Sequence, residues 1–270
     1  MKKLSIQIMA LCSVFGLASG VMAEDCKPAP GCGSLGFTQN ASDCSGAALK
    51  CPWDLSKAAC NTATAADIGD ILYGDGTTSS KLISSKTPIG VVFDTENRLA
   101  VALTDIDKDG STTNGTSYYW SSSRCDTPNL DNCTRRDGLT TCGVDGRANT
   151  NAILASTCNG TTYAANGTNA YEPSGCSKDF CKKTKWFLPS MRDFITLYDV
   201  KSKVNASLSL TASSGAKTLK ESGYWSSTEY SYNEVWIFEF NAIPHNNTHD
   251  KYYGDISNGG SWYLRPVIKY

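Results

Sequence analysis

Beyond its first 23 residues the chain has no long apolar run, no cysteine after Cys181, only two histidines (His245 and His249) and no surplus of either charge. Each absence excludes something. A helix that spans a bilayer needs about 20 consecutive apolar residues, so nothing downstream of residue 23 is expected to cross a membrane. The 25 basic and 26 acidic residues leave a net charge of −1 and form no basic block. Nucleic acid and anionic lipid surfaces, which are held by clustered Lys and Arg, are therefore not expected partners. There is no tight C-x2-C pair and both histidines lie far from the cysteines, which argues against a structural zinc site. Neither histidine has a Ser or Cys neighbour that would make a nucleophile–base pair. No catalytic residue is assigned, and the chain is not expected to be an enzyme.

What is present begins with an address. Lys2 and Lys3 precede an apolar stretch from Ile6 to Leu17, and Val21-Met22-Ala23 puts small residues where signal peptidase reads them. Residues 1–23 are expected to be a signal peptide cleaved after Ala23, which places the mature chain in the periplasm, on the cell surface or outside the cell. Cys26 follows Glu24-Asp25 and Cys12 follows Leu11, so neither has the small residues that precede a lipidated cysteine.

Eleven of the twelve cysteines lie beyond that site: Cys26, Cys32, Cys44, Cys51, Cys60, Cys125, Cys133, Cys142, Cys158, Cys176 and Cys181. In an oxidising compartment they are expected to be bridged. The odd count leaves one sulfur for a free thiol or for a bond to another chain. Asn114-Gly-Thr, Asn159-Gly-Thr and Asn166-Gly-Thr are glycosylation triplets, but such triplets arise by chance in a chain so rich in Asn and Thr.

The texture changes near residue 66. Residues 24–66 set five cysteines among Gly, Pro and Ala, with too few apolar residues for a core, so crosslinks must hold this segment. Residues 67–270 read as an α+β domain of short antiparallel strands, few helices and long disulfide-pinned loops. Ile68-Gly-Asp-Ile-Leu-Tyr73 reads as a strand, and Ile89–Phe93 and Leu99–Thr104 read as a hairpin turned at Asp94-Thr-Glu-Asn97. The polar centre, from about Gly110 to Lys185, has room for a helix starting near Asn149. A clearer helix follows Pro189: Ser190 and Asp193 make a reciprocal cap before Phe194, Ile195 and Tyr198, and it is expected to run to about Lys203. Strands return at Tyr224–Ser227, Val235–Phe240 and Trp262–Ile268.

Three ordered motifs carry a resemblance over residues 67–270: Trp186-Phe-Leu-Pro-Ser190, Gly223-Tyr-Trp-Ser-Ser-Thr-Glu-Tyr230 and Tyr263-Leu-Arg-Pro-Val267. Asp145-Gly-Arg-Ala-Asn-Thr150 and Ile68–Asp75 add to it. The chain thereby resembles bacterial domains that share the C-type-lectin-like fold of formylglycine-generating enzymes, a group that includes the variable proteins of diversity-generating retroelements. The residues themselves read as a scaffold: Trp186, Trp225 and Trp236 supply large apolar surfaces, and Arg265 before Pro266 is placed to pair with Glu229 or Asp193 and close the domain. The resemblance does not imply a reaction, because fold alone never gives function. The oxidases of this fold use two cysteines late in the domain, and none follows Cys181. The related iron-dependent synthases use a histidine-rich triad, and the segment holding His245 and His249 reads as a polar loop.

Asp105-Ile-Asp107-Lys-Asp109-Gly110 has the alternate carboxylates and the glycine of a calcium loop, but Thr116 stands where the bidentate Glu belongs. A solvated turn is the first reading, with calcium as the alternative; no other cofactor is expected. Glu172-Pro-Ser174 only partly matches the calcium motif of sugar-binding lectins.

One segment has the chemistry of a contact surface. Tyr230–Glu234 and Asn241–Gly260 are rich in Tyr, Asn, Ser, Asp, His and Gly. Tyr gives large contact area with few rotatable bonds, and the small polar residues adapt their hydrogen bonds. Tyr230, Tyr232, Asn233, His245, Asn247, His249, Tyr252, Tyr253, Asp255 and Asn258 are expected to face outward toward a ligand. Trp225, Trp236, Phe238 and Phe240 are expected to face inward. In the retroelement proteins the mutated region occupies this place, so the resemblance implies a diversified receptor; a polar loop that is not diversified stays open. The sequence thus reads as an exported protein that binds an extracellular protein or glycan. The alternatives are a structural or adhesive component of a surface appendage, joined to its partner by the odd cysteine, and a degenerate enzyme.

Overall fold

The computed structural model describes residues 66–112, 119–241, 245–252 and 262–270, together with the backbone of two short strands, Thr38–Gln39 (β1) and Cys60–Asn61 (β2). The chain forms two compact units, Met1–Ala66 and Asp67–Tyr270. In the first, β1 and β2 pair antiparallel, with Thr38 opposite Asn61 and Gln39 opposite Cys60. Cys26, Cys32, Cys44 and Cys51 lie outside the described residues.

The second unit is α+β. Its larger sheet runs in the order β4-β3-β5-β6-β11-β7, from Ile71–Tyr73 (β3), Thr78–Ser79 (β4), Pro88–Asp94 (β5), Leu99–Ala102 (β6), Trp186–Phe187 (β7) and Val267–Lys269 (β11). A three-stranded sheet runs β10-β9-β8, from Gly223–Glu229 (β8), Glu234–Glu239 (β9) and His245–Asp250 (β10). Every ladder is antiparallel.

Local chemistry accounts for the central hairpin. β5 as far as Phe93 and the whole of β6 are apolar, and both strands are buried throughout, as strands covered on both faces must be. Their turn is tied by Asp94, whose two carboxylate oxygens accept from the Asn97 N–H (2.9 Å) and the Asn97 amide (2.7 Å). Arg98 completes the reversal in the left-handed region, at φ 58°. Gly90 is required by the ladder, since a Cβ there would lie 2.8 Å from the Val101 carbonyl oxygen.

The helices are Gly146–Ala155 (α1), Tyr163–Ala170 (α2), Met191–Asp199 (α3) and Lys201–Leu210 (α4). At α3 the Ser190–Asp193 capping box forms in both directions. The expected single helix to Lys203 is instead two helices. Val200 leaves the helical region and the chain restarts at Lys201, which lets Phe194 and Leu197 of one helix and Val204 and Leu208 of the next reach the same core. The cap of α1 is Asp145, which accepts from the N–H groups of Arg147 and Ala148 at 3.0 Å each. Asn149, expected near the start, lies inside this helix, where its amide donates to the Gly143 carbonyl (2.7 Å) and the Ser227 hydroxyl (3.3 Å). α2 has no counterpart in the sequence reading.

The core lies between the two sheets and α3. The Phe194 ring stacks on Phe238 at 5.6 Å and meets Phe240 edge-on at 5.8 Å, with Tyr224 and Tyr198 around them. Burial of each such ring contributes about 1.5–3 kcal/mol. The closing segment stitches the sheets together: Tyr263 bonds to both sides of Tyr224 through Gly223 and Trp225, Leu264 bridges Ile106, and β11 pairs with β6.

Arg265 corrects one expectation. Its partner is neither Glu229 nor Asp193 but Asp105, with Nε 2.8 Å from Oδ1, and its other nitrogens donate to the carbonyls of Ala102, Lys217 and Thr218. A buried fork of five donors demands several acceptors, and backbone carbonyls from β6 and from residues 217–218 supply three of them beside Asp105. Asp193 is taken by the helix cap and Arg192, and Glu229 by a different cation.

The central region is pinned by three disulfides, Cys125–Cys158, Cys133–Cys142 and Cys176–Cys181. Such bonds belong to an oxidising compartment, outside the cell or in the periplasm. None of the helices among the described residues is long and apolar enough to cross a membrane.

Candidate functional site

The segment read as a polar loop is in part a strand. β10 pairs with β9 over its whole length, His245 opposite Glu239 through to Asp250 opposite Glu234. His-Asn-Asn-Thr-His-Asp has no apolar alternation, so the strand exists because β9 offers a ladder, not because its own residues prefer one. The pleat sets Asn247 and His249 on one face and Thr248 and Asp250 on the other.

The candidate residues divide accordingly. Tyr232 and Tyr252 are exposed, at 55% and 45%. Asn233 is exposed at the β8–β9 turn, and its carbonyl accepts from the Lys251 N–H at 2.9 Å. Asn247 is exposed and donates to Glu239 Oε1 at 3.2 Å. Tyr230 does not stand free: it meets Trp236 edge-on at 5.4 Å and is half-buried. His249 also packs inward, edge-on to Trp225 at 5.7 Å and Trp262 at 5.4 Å. Both are half-buried, with one cause: the sheet's aromatic floor offers each ring a neighbour. His245 opens β10, and Tyr253, Asp255 and Asn258 lie outside the described residues. Trp225, Trp236, Phe238 and Phe240 are buried.

Between these side chains and the loop closed by Cys133–Cys142 lies a cleft of about 460 Å³. Tyr230, Trp236, Glu239, Asn247, His249 and Trp262 line one side, and Thr134 and Arg136 the other. The Cys133 carbonyl accepts from the Trp236 indole at 2.7 Å, so the disulfide loop is tied to the floor. Gly223 seats Trp262, since a Cβ there would collide with its ring.

Two ion pairs hold the far end of β10. Arg124 grips Asp250, with Nε 2.9 Å from both carboxylate oxygens and Nη2 2.7 Å from Oδ2. The same guanidinium lies over the Tyr252 ring at 5.7 Å, and Tyr252 stacks on Tyr119 at 5.6 Å and 13°. Lys251, fully buried, pairs with the fully buried Glu229 and donates to the Cys125 carbonyl at 2.6 Å, with Trp120 alongside. Burial pushes its ammonium down to about 7, against the attraction of Asp126. The Glu229 carboxylate also accepts from the Thr127 N–H. Glu229 stands in a motif that the sequence reading singled out. Lys251 was missed, because a lysine among polar residues carries no signal of burial.

The calcium candidates do not converge. Asp105 turns inward to Arg265 and Lys220, Asp107 accepts from the Ser111 hydroxyl at 3.1 Å, and Asp109 accepts from the Ser111 N–H at 2.9 Å. Backbone and side-chain bonds from Ser111 hold the Asp109 carboxyl below its ordinary range. Gly110, at φ 82°, closes this turn. The described residues contain no group of three or more His, Cys, Asp or Glu arranged to hold a metal ion.

No family model matches the chain, and no curated protein does. Among solved structures it is similar to a fimbrial protein from Bacteroides ovatus, at 18% identity and a TM-score of 0.47, over 76% of this chain and 49% of that one. The chain thus spans about half the length of that structure.

Proposed function

We propose that the chain is an exported binding protein of receptor or adhesin type, with a C-type-lectin-like frame, which takes its ligand at the cleft beside β10. The observation that carries this reading is the gathering of Tyr230, Asn247 and His249 with Arg136 in one cleft, on a frame tied by a disulfide and two ion pairs. Sites on rigid elements lose little entropy on binding. A screen of the purified chain against extracellular proteins and glycans tests the reading. Binding should be lost in Asn247→Ala with the melting temperature unchanged, and binders indifferent to that change would place the site elsewhere. Retroelement diversification of residues 230–258 has its own test in the flanking DNA, which should hold a reverse transcriptase and a repeat differing only at adenines.

The second reading, a component of a surface appendage, is favoured by cysteine arithmetic. The six central cysteines pair with one another, so cleavage after Ala23 leaves five in the first unit. An odd set cannot close on itself. A thiol-sensitive dimer or ladder on non-reducing electrophoresis would support this reading, and a clean monomer would remove it.

A further inference from the structure

Resting on the reading of this cleft as the binding site, we infer that its ligand is an uncharged saccharide, held without a calcium ion. The first ground is charge. Arg136 and Glu239 contribute one unit of each sign, and no other Lys, Arg, Asp or Glu among the described residues lines the cleft. A phosphate or polyanion would meet one cation and one carboxylate, and a lipid chain would meet polar walls; a neutral polar ligand suits both charges.

The second ground is the geometry of the polar groups. Guanidinium, carboxylate and carboxamide are planar forks, matched to two neighbouring hydroxyls on a ring. Arg136 is exposed, and its guanidinium makes no hydrogen bond or ion pair to another described residue. Asn241 and Asn247 each donate to one oxygen of Glu239, at 3.1 and 3.2 Å, which fixes the carboxylate while leaving further lone pairs on each oxygen.

The third ground is the aromatic floor. A pyranose presents an apolar C–H face with a rim of hydroxyls, and rings such as Tyr230, Trp236 and Trp262 give that face something to lie on, the Trp236 N–H being already taken by the Cys133 carbonyl. The Trp262 indole N–H is buried and has no acceptor among the described residues. A buried donor left unpaired costs about 1–3 kcal/mol, and the side chain that carries it lines the cleft. The cleft volume of about 460 Å³ falls within the ordinary span of small-ligand sites, roughly 300–1,000 Å³. The three carboxylates read as calcium candidates, Asp105, Asp107 and Asp109, are absent from the lining.

The test uses the full exported chain, with an array of neutral gluco-, galacto- and manno-configured oligosaccharides read in EDTA, and a displayed peptide library in parallel. We expect at least one oligosaccharide to be retained in EDTA. Arg136→Ala and Asn247→Ala should each weaken it about tenfold or more, while Leu210→Ser, at an exposed position on α4, leaves it unchanged. Binding that vanishes in EDTA and returns with calcium overturns the inference. Peptides that bind in a manner sensitive to Arg136→Ala, with no sugar retained, overturn it too but leave the cleft as the site. Binding indifferent to both variants, or none in either format, removes the cleft as well.

Discussion

Lys251 and Glu229 are both fully buried and pair with each other, and this contact joins the end of β10 to the end of β8 across the loop that Cys125–Cys158 closes. Removing one partner leaves an uncompensated charge in the interior, which costs about 3–5 kcal/mol. Lys251→Met alone and Glu229→Leu alone should therefore lower the melting temperature sharply. Lys251→Met combined with Glu229→Leu should recover part of the loss. A double variant as unstable as the sum of the singles would show that the two groups are not coupled.

The Asp105–Arg265 pair should behave alike, whereas Lys220, whose side chain is 37% exposed, adds little. Denaturant unfolding of Asp105→Ala should show a loss of about 3–5 kcal/mol, and of Lys220→Ala under about 1 kcal/mol. Equal losses would mean that Lys220, not Arg265, neutralises the carboxylate.

The three crosslinks differ in the length of chain they close, with separations of 33, 9 and 5 residues. By chain entropy the longest constrains the unfolded state most, by about 3–4 kcal/mol. Cys125→Ser with Cys158→Ser should thus destabilise the second unit more than Cys176→Ser with Cys181→Ser. Peptide mapping under non-reducing conditions should recover the same three pairs, and a different pairing would undo the arrangement of the central loops.

Acid should loosen the β3–β4 turn before the core. Burial would raise the Asp75 carboxyl, but the Lys86 ammonium at 2.8 Å and two bonds from Thr77 outweigh it and hold it at about 2. The folded value lies below the unfolded one of about 3.9. Its contribution is therefore fully present above pH 4 and is lost as pH falls toward 2. The pair is partly exposed, so the effect is small and falls with salt. Asp75→Asn should remove the low-pH change in amide exchange at Thr77; an unaltered profile would assign the change to another group.

The sequence by itself determined what is settled over a few residues. The Ser190–Asp193 cap, the Asp94 turn and the apolar runs of β5 and β6 each follow from groups three or four positions apart, whose geometry the local backbone fixes. The inward set of Trp225, Trp236, Phe238 and Phe240 follows from transfer free energy alone. Tertiary structure decided the rest. Tyr163–Ala170 is helical although Ala-Asn-Gly-Thr-Asn favours no such thing, because burial of Ala164, Ala165 and Thr168 outweighs weak propensity. β10 is a strand because β9 lies beside it. Arg265 chose Asp105 over Glu229 and Asp193, and Lys251 went inside, because the choice among charged partners depends on which of them the fold leaves unsatisfied once the chain has closed. That information is held in contacts that only the closed fold makes, between Lys251 and Glu229 and between Arg265 and Asp105, which no local pattern records.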